Sequence, residues 1–197
     1  DDAGMVSLAN VLYLASLTTK RILLIGDPMQ LPPVSSSETG NPWIVHNIFQ
    51  HQSGTDNLSE LFTWQEQNTD ISVLLREQFE IPERIFNILN QLCYGSRLTS
   101  RTTTRGIISL IDTSTLDPEL TGTPRSPINA DHGDIVVHTL KGLLQKQSLT
   151  ANDVGVLSPF RAQSQYLERV SKLSGLPEGI EFGTVHTFQG RMKICIV

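Results

Sequence analysis

The feature that most constrains the fold is an alternation of short, solidly apolar runs with longer stretches of helical periodicity. Residues 21–26 carry such a run, Ile22-Leu23-Leu24-Ile25, ended abruptly by Gly26-Asp27-Pro28, and residues 71–75, 107–111, 153–157 and 180–185 read the same way. A run that is apolar at successive positions suits a strand buried on both faces, the condition of a parallel strand covered by helices. Residues 5–17, 58–65, 135–144 and 161–173 instead repeat apolar side chains at three- and four-residue intervals, which predicts amphipathic helices. Pro82, at a first helical position, introduces Ile85, Ile88, Leu89 and Leu92 on one further helical face. Residues 193–197 begin another strand. The alternation predicts an α/β fold with a mainly parallel sheet, in which ligands gather beyond the carboxyl ends of the strands.

Three segments break the pattern. Residues 35–40 form a polar, Gly-containing loop, and the Gln67-Asn68-Thr69-Asp70 stretch is the expected boundary between two lobes. Residues 112–133, rich in Thr, Pro, Ser and Gly and without periodicity, read as a long surface connection.

Composition narrows the function classes. An apolar content of 39% over 197 residues is ordinary for a globular chain. The run at 22–25 falls far below the roughly 20 residues that cross a bilayer, and no secretory leader opens the chain, so an intracellular, non-membrane and non-secreted protein is expected. Cys93 and Cys195 lack partners at metal-ligand spacing and read as small core residues of a reducing compartment. The net charge of −5 argues against an open basic nucleic-acid face. It leaves open a strand held through backbone amides, hydroxyls and a few arginines.

The chemistry concentrates after the first apolar run. Gly26-Asp27-Pro28-Met29-Gln30-Leu31-Pro32-Pro33 delivers a glycine turn, an acid and an amide side chain, with prolines stiffening the loop so that its polar groups keep one orientation. A Pro-rich turn after a core strand explains the glycine and prolines but not the glutamine. Asp1-Asp2 precedes the first helix, where paired acids either cap a helix or hold Mg²⁺ and orient water for phosphoryl transfer.

The string from Gly26 to Pro33 resembles motif III of superfamily 1 helicases of the RNA-surveillance and Okazaki-fragment-processing type. Leu75-Arg76-Glu77-Gln78-Phe79-Glu80-Ile81-Pro82 resembles the family's Gln-Tyr-Arg-Met segment, Gly155-Val156-Leu157-Ser158-Pro159-Phe160-Arg161-Ala162-Gln163 its motif IV, and Gly183-Thr184-Val185-His186-Thr187-Phe188-Gln189-Gly190 its motif V. Asp1-Asp2-Ala3-Gly4 falls where the family places its Walker B pair.

The resemblance implies a RecA-like P-loop NTPase fold, with the end of a first lobe over residues 1–66 and most of a second over 71–197. It implies ATP and Mg²⁺ as cofactors, single-stranded DNA or RNA as partner, and ATP-driven unwinding or translocation by the full-length parent. By the same resemblance Asp1 is the metal ligand, and Asp2 and Gln30 are catalytic. Gln78, Gln189 and Gly190 lie near the nucleotide, and Ser158, Pro159, Arg161 and Thr184 face the nucleic acid. For Arg161 an exposed first-turn arginine is nearly as good a reading of the residues.

The sequence also departs from the family. No glycine loop ending in Gly-Lys-Ser or Gly-Lys-Thr occurs, and no arginine motif follows motif V. A longer protein is expected, with the missing N-terminal part of the first lobe as a partner of these residues. Within the motifs, Asp2 replaces a glutamate, Glu80 a phosphate-sensing arginine, His186 an aspartate and Met192 a glutamate. The alternative reading is a catalytically degenerate, helicase-derived module that binds nucleic acid or protein.

Overall fold

The computed structural model describes residues 2–34, 41–146 and 149–197. Asp1 and the loop expected at 35–40 lie outside the described residues. Two compact units, Asp1–Leu110 and Ile111–Val197, divide the chain. The expected boundary at 67–70 falls inside the first unit.

In the first unit a 3₁₀ turn, Ala3–Met5, leads into α1 (Leu8–Ser16), which buries Leu8 and Val11. The short helices α2 (Pro42–Val45) and α3 (Ile48–Ser53) follow. Asn47 and Gln50 start α3 with a reciprocal capping box, at 3.0 Å in each direction, which satisfies two amides that a helix N-terminus otherwise leaves unpaired. Helix α4 (Leu58–Gln67) buries Leu61 and Phe62. Strand β1 (Glu77–Gln78) precedes α5 (Glu83–Cys93) and pairs in parallel with β2 (Thr99–Ser100). The Glu83 and Arg84 amides that open α5 donate to the carbonyls of Thr104 and Arg105.

Several expectations fail in this unit. Residues 21–25, 71–75 and 107–111 form no strand, and Leu23, Val73 and Leu110 are 83%, 80% and 92% exposed. A parallel strand is held by neighbours on its edges, and among the described residues none pairs with these runs. The face of α5 expected inside is also turned out: Leu92 is 79% exposed, and the buried residues are Phe86 and Asn90, four positions apart on one stripe. Asn90 is drawn inward by two bonds to the backbone of Leu98 (2.9 and 3.1 Å).

The second unit follows its periodicity closely. Within the supposed surface connection lies a hairpin of β3 (Leu120–Thr123) and β4 (Ser126–Asn129), followed by α6 (Ala130–Lys146). Then come β5 (Val154–Ser158), α7 (Arg161–Leu173), β6 (Glu181–Thr184), α8 (Val185–Phe188) and β7 (Cys195–Ile196). The three strands form a parallel sheet in the order β6-β5-β7. Leu140 of α6 and Leu167 of α7 cluster with Val154 and Val156 of the central strand, all nearly free of solvent. Complete burial of such side chains contributes roughly 1.5–3 kcal/mol each and fixes where the strands end.

Candidate functional site

Two groups of expected residues come together, one in each unit. In the first, the turn at Asp2-Ala3-Gly4 lies directly against the turn at Gly26-Asp27. The Ala3 amide donates to the Ile25 carbonyl at 2.9 Å. A Cβ on Gly26 would stand 2.6 Å from the Ala3 nitrogen, and one on Gly4 would stand 2.8 Å from the Asp27 carbonyl oxygen. Both glycines are thus required by backbone approach. Asp2, exposed, adopts left-handed backbone with φ 56°, which turns the chain there.

Asp27 organises the second of these turns. Its Oδ1 accepts the Met29 amide at 2.9 Å, an Asx turn that bends the loop back over its own carboxylate. Its Oδ2 accepts two donors, the Gln30 Nε2 at 3.1 Å and the Tyr94 hydroxyl at 2.5 Å. Gln30 is exposed at the loop surface. Burial, followed by the adjacent Asp27 carboxylate, pushes the Tyr94 phenol well above its ordinary range, so it stays a donor at every physiological pH. Asp27 and Tyr94 were not among the expected site residues, and no sequence signal joins positions 67 residues apart.

Gln78 is spent on its own loop. Its Oε1 accepts the amides of Glu80 (3.0 Å) and Ile81 (2.7 Å), while its Nε2 donates to the Ile81 carbonyl (2.9 Å) and the Ser100 hydroxyl (2.5 Å). Glu80 is exposed, as are Arg76 and Arg84, the two arginines nearest to it in sequence. Arg101 pairs with Glu77 and holds that carboxyl below its usual range.

In the second unit, motifs IV and V meet at the carboxyl edge of the sheet. Ser158 and Thr184 are register partners at the last paired position of the parallel strands β5 and β6. Ser158 is buried and its hydroxyl accepts the Phe160 amide at 3.2 Å. Pro159 and Arg161 are exposed, the latter opening α7. The Thr187 hydroxyl accepts the Thr184 amide and donates to the Thr184 carbonyl, both at 2.9 Å, closing the turn into α8. Gln189 follows with its side-chain carbonyl oxygen buried and without a hydrogen-bond partner, and Gly190 holds φ 73°, left-handed backbone that favours glycine. His186 and Met192 are exposed.

The hairpin sits against motif IV, a contact with no signal in the sequence. Gln163 clamps its end, accepting the Asn129 amide at 2.7 Å and donating to the Asn129 carbonyl at 3.1 Å, while the Ala162 amide donates to the Ser126 hydroxyl at 3.0 Å. At the start of β6, Glu181 pairs with Arg191 and, at 3.2 Å, with Lys193.

Among the described residues no three His, Cys, Asp or Glu side chains form a metal-binding group, and no helix is long and apolar enough to cross a membrane.

A family model described as AAA domain matches residues 57–197. Among curated proteins the chain is 25% identical over 187 residues to the DNA replication ATP-dependent helicase/nuclease DNA2 of Gallus gallus, covering 91% of the chain and 17% of that protein. It is 24% identical over 203 residues to the DNA polymerase alpha-associated DNA helicase A of Saccharomyces cerevisiae, covering 90% of the chain and 29% of that protein. The chain therefore spans less than a third of either relative. With motif-bearing loops at the ends of parallel strands and a family match over most of its length, the chain belongs to the AAA domain family as a superfamily 1 helicase-like domain.

Proposed function

We propose that these residues are the end of a first RecA-like lobe, 1–66, and most of a second, 71–197, of an ATP-dependent helicase that moves on single-stranded DNA or RNA. The observation that carries this reading is the packing of the Asp2 turn against the Gly26–Gln30 loop, glycine against backbone. That contact supports reading the two turns as one site, in which Asp2 would orient water and Gln30 would sense the terminal phosphate.

The donor chemistry fits a magnesium–phosphate group at one end only. Asp1 and Asp2 supply hard oxygen donors, and one or two carboxylates suffice for Mg²⁺ because phosphate oxygens and water complete its shell. Gln30 supplies an amide donor, and Gln189 offers an unsatisfied buried acceptor to a nucleotide amino or hydroxyl group. Gly190 lets the backbone turn beside it. Gln78, through its four bonds, shapes the 78–81 loop and would act at the nucleotide by placing that loop. Among the described residues no segment offers the nest of amides that cradles the β- and γ-phosphates. That cradle falls to a first-lobe segment outside these residues.

The exposed run at 22–25 supports the same division. It lines an apolar groove of about 270 Å³ with Val6, Val11 and Leu14. ATP, when bound with Mg²⁺, supplies the phosphoryl transfer to water that drives movement. At the sheet edge, the Thr184 turn, the Pro159 turn and the Arg161 guanidinium would track a phosphate backbone and read no bases, so the compartment would be an intracellular one where nucleic acid is worked on.

The test is steady-state ATP hydrolysis by the full-length protein with Mg²⁺, with and without single strands. Turnover stimulated by the strand and reduced about 10²-fold or more by Gln30→Ala supports the reading; unstimulated turnover that Gln30→Ala leaves intact defeats it.

A second reading, a degenerate binding module, is favoured by Glu80, an exposed carboxylate where the resembling family carries a cation. Under it, Glu80→Arg with Met192→Glu raises ATP affinity in a protein otherwise silent. Under the motor reading, Glu80→Arg leaves turnover level or lowers it.

A further inference from the structure

Two features of the first unit are unused by the expected site. One is the sharp turn after α5, where Gly95 and Ser96 are consecutive left-handed residues at φ 55° and 60°. A non-glycine residue in that conformation is strained and persists only where its surroundings over-determine it. Here they do: Asn90, buried, bonds the Leu98 amide and carbonyl, and the Ser96 amide donates to the Asn90 carbonyl at 2.8 Å. The other feature is the ring of Tyr94, which opens this turn. It packs at a tilt on Phe62 of α4, with centroids 6.3 Å apart, while Arg97 stacks over the same phenylalanine at 5.1 Å and reaches Glu66 at 3.5 Å.

A turn this constrained, with the Tyr94 ring packed on Phe62, fixes where the Tyr94 hydroxyl points. It points at Asp27 Oδ2, the same oxygen that accepts the Gln30 amide. The carboxylate has one remaining soft torsion. With Met29 on Oδ1 and Tyr94 on Oδ2, that torsion is held by two donors other than Gln30.

We propose that Tyr94 is a positioning residue for Gln30: through the shared Asp27 carboxylate it sets the orientation of the Gln30 amide and couples that orientation to the segment carrying α5. The proposal rests on reading Gln30 as the group that senses the terminal phosphate. Gln30 must leave or share its bond to Asp27 when it turns to another acceptor, and the Tyr94 hydroxyl keeps the carboxylate partnered and in place meanwhile. A displacement of α5 relative to α4 would move that hydroxyl and so change which way Gln30 faces.

The test uses the full-length protein and two readouts. The Gln30 side-chain amide resonance, assigned by its loss in Gln30→Ala, reports orientation whatever the protein's activity. Tyr94→Phe removes one oxygen and keeps the ring on Phe62, so the resonance is expected to shift and broaden while the melting temperature stays near wild type. Asp27→Asn is expected to perturb it likewise. A Gln30 resonance unmoved by Tyr94→Phe overturns the proposal, even if turnover falls.

The second readout is strand-stimulated ATP turnover. Tyr94→Phe is expected to lower kcat about tenfold with KM for ATP within twofold, and the double variant with Gln30→Ala is expected to be no worse than Gln30→Ala alone. Additive losses overturn the coupling. If Gln30→Ala itself leaves turnover unchanged, the phosphate-sensing reading fails separately, and the coupling is then decided by the resonance alone.

Discussion

The ring of Phe188 offers a direct test of how motif V is seated. It is 7% exposed and lies over the backbone of two strands at positions that lack side chains. A Cβ on Gly155 would stand 2.6 Å from Phe188 Cε1, 2.9 Å from Ile196 Cδ1 and 3.2 Å from Lys193 Cγ. One on Gly183 would stand 2.7 Å from Phe188 Cε2. Carbon atoms at rest sit about 3.5–4.0 Å apart, so Gly155→Ala requires the ring to retreat by roughly 1 Å. The methyl of Ile196 can swing aside, but the ring is held on its other side by Gly183. Overpacking of this kind costs about 1–3 kcal/mol. With urea m-values of about 1–3 kcal/mol/M, the midpoint should fall by roughly 1 M. Because the chain has two units, the loss should be read from the second one, by hydrogen exchange of the Val154, Val156 and Leu157 amides alongside the urea curve. Adding Phe188→Leu removes the ring edge, so the double variant should lose about 1 kcal/mol less than the sum of the two singles. An unchanged midpoint in Gly155→Ala, or a strictly additive double variant, would refute the packing account of motif V.

The remaining predictions concern the same unit. Leu140→Ala, at a side chain with no solvent exposure, should cost about 2–5 kcal/mol in urea unfolding of that unit, and a loss under 1 kcal/mol would show that α6 is not part of its core. Asp153 accepts the Thr150 hydroxyl at 2.7 Å and the Thr150 amide at 2.8 Å, bonds that hold its carboxyl below the usual range. A depressed folded pKa gives stability that is present above the unfolded value of about 3.9 and is lost as pH falls through the folded one. Asp153→Asn should therefore be less stable than wild type at neutral pH, with the difference closing below about pH 4; a difference constant across that range would contradict the assignment.

What the sequence made legible depended on where each segment finds its partners. In the second unit the partners of β5 lie close in sequence, with α7 spanning 161–173 as its periodicity predicts and Ser158 meeting Thr184 after a single crossover. The runs at 21–25, 71–75 and 107–111 carry the same apolar signal but join no sheet among the described residues, and periodicity cannot report a missing neighbour strand. The hairpin at 120–129 was hidden because its strands, Leu120–Thr123 and Ser126–Asn129, lack apolar alternation and are rich in Thr, Gly and Pro. The Asp2 and Gln30 turns could be read from residue types and order, and the two glycines that bring them together were visible in the motifs. The Tyr94 bond to Asp27 could not be read, since it depends on where the end of α5 falls. Asn90 shows the same limit: a polar residue on an apolar helix becomes the buried one because the turn that follows needs its amide.

Strand displacement is the sharpest test of the proposal that this domain works in an ATP-driven motor on nucleic acid. The full-length protein is mixed with a partial duplex bearing a single-stranded tail, Mg²⁺, and either ATP or a non-hydrolysable analogue, and release of the shorter strand is followed in real time. Release is expected with ATP and not with the analogue, and it is expected to be lost in Gln30→Ala at unchanged binding to the tail. Release that proceeds equally with the analogue, or tail binding with no release under any nucleotide, would contradict it.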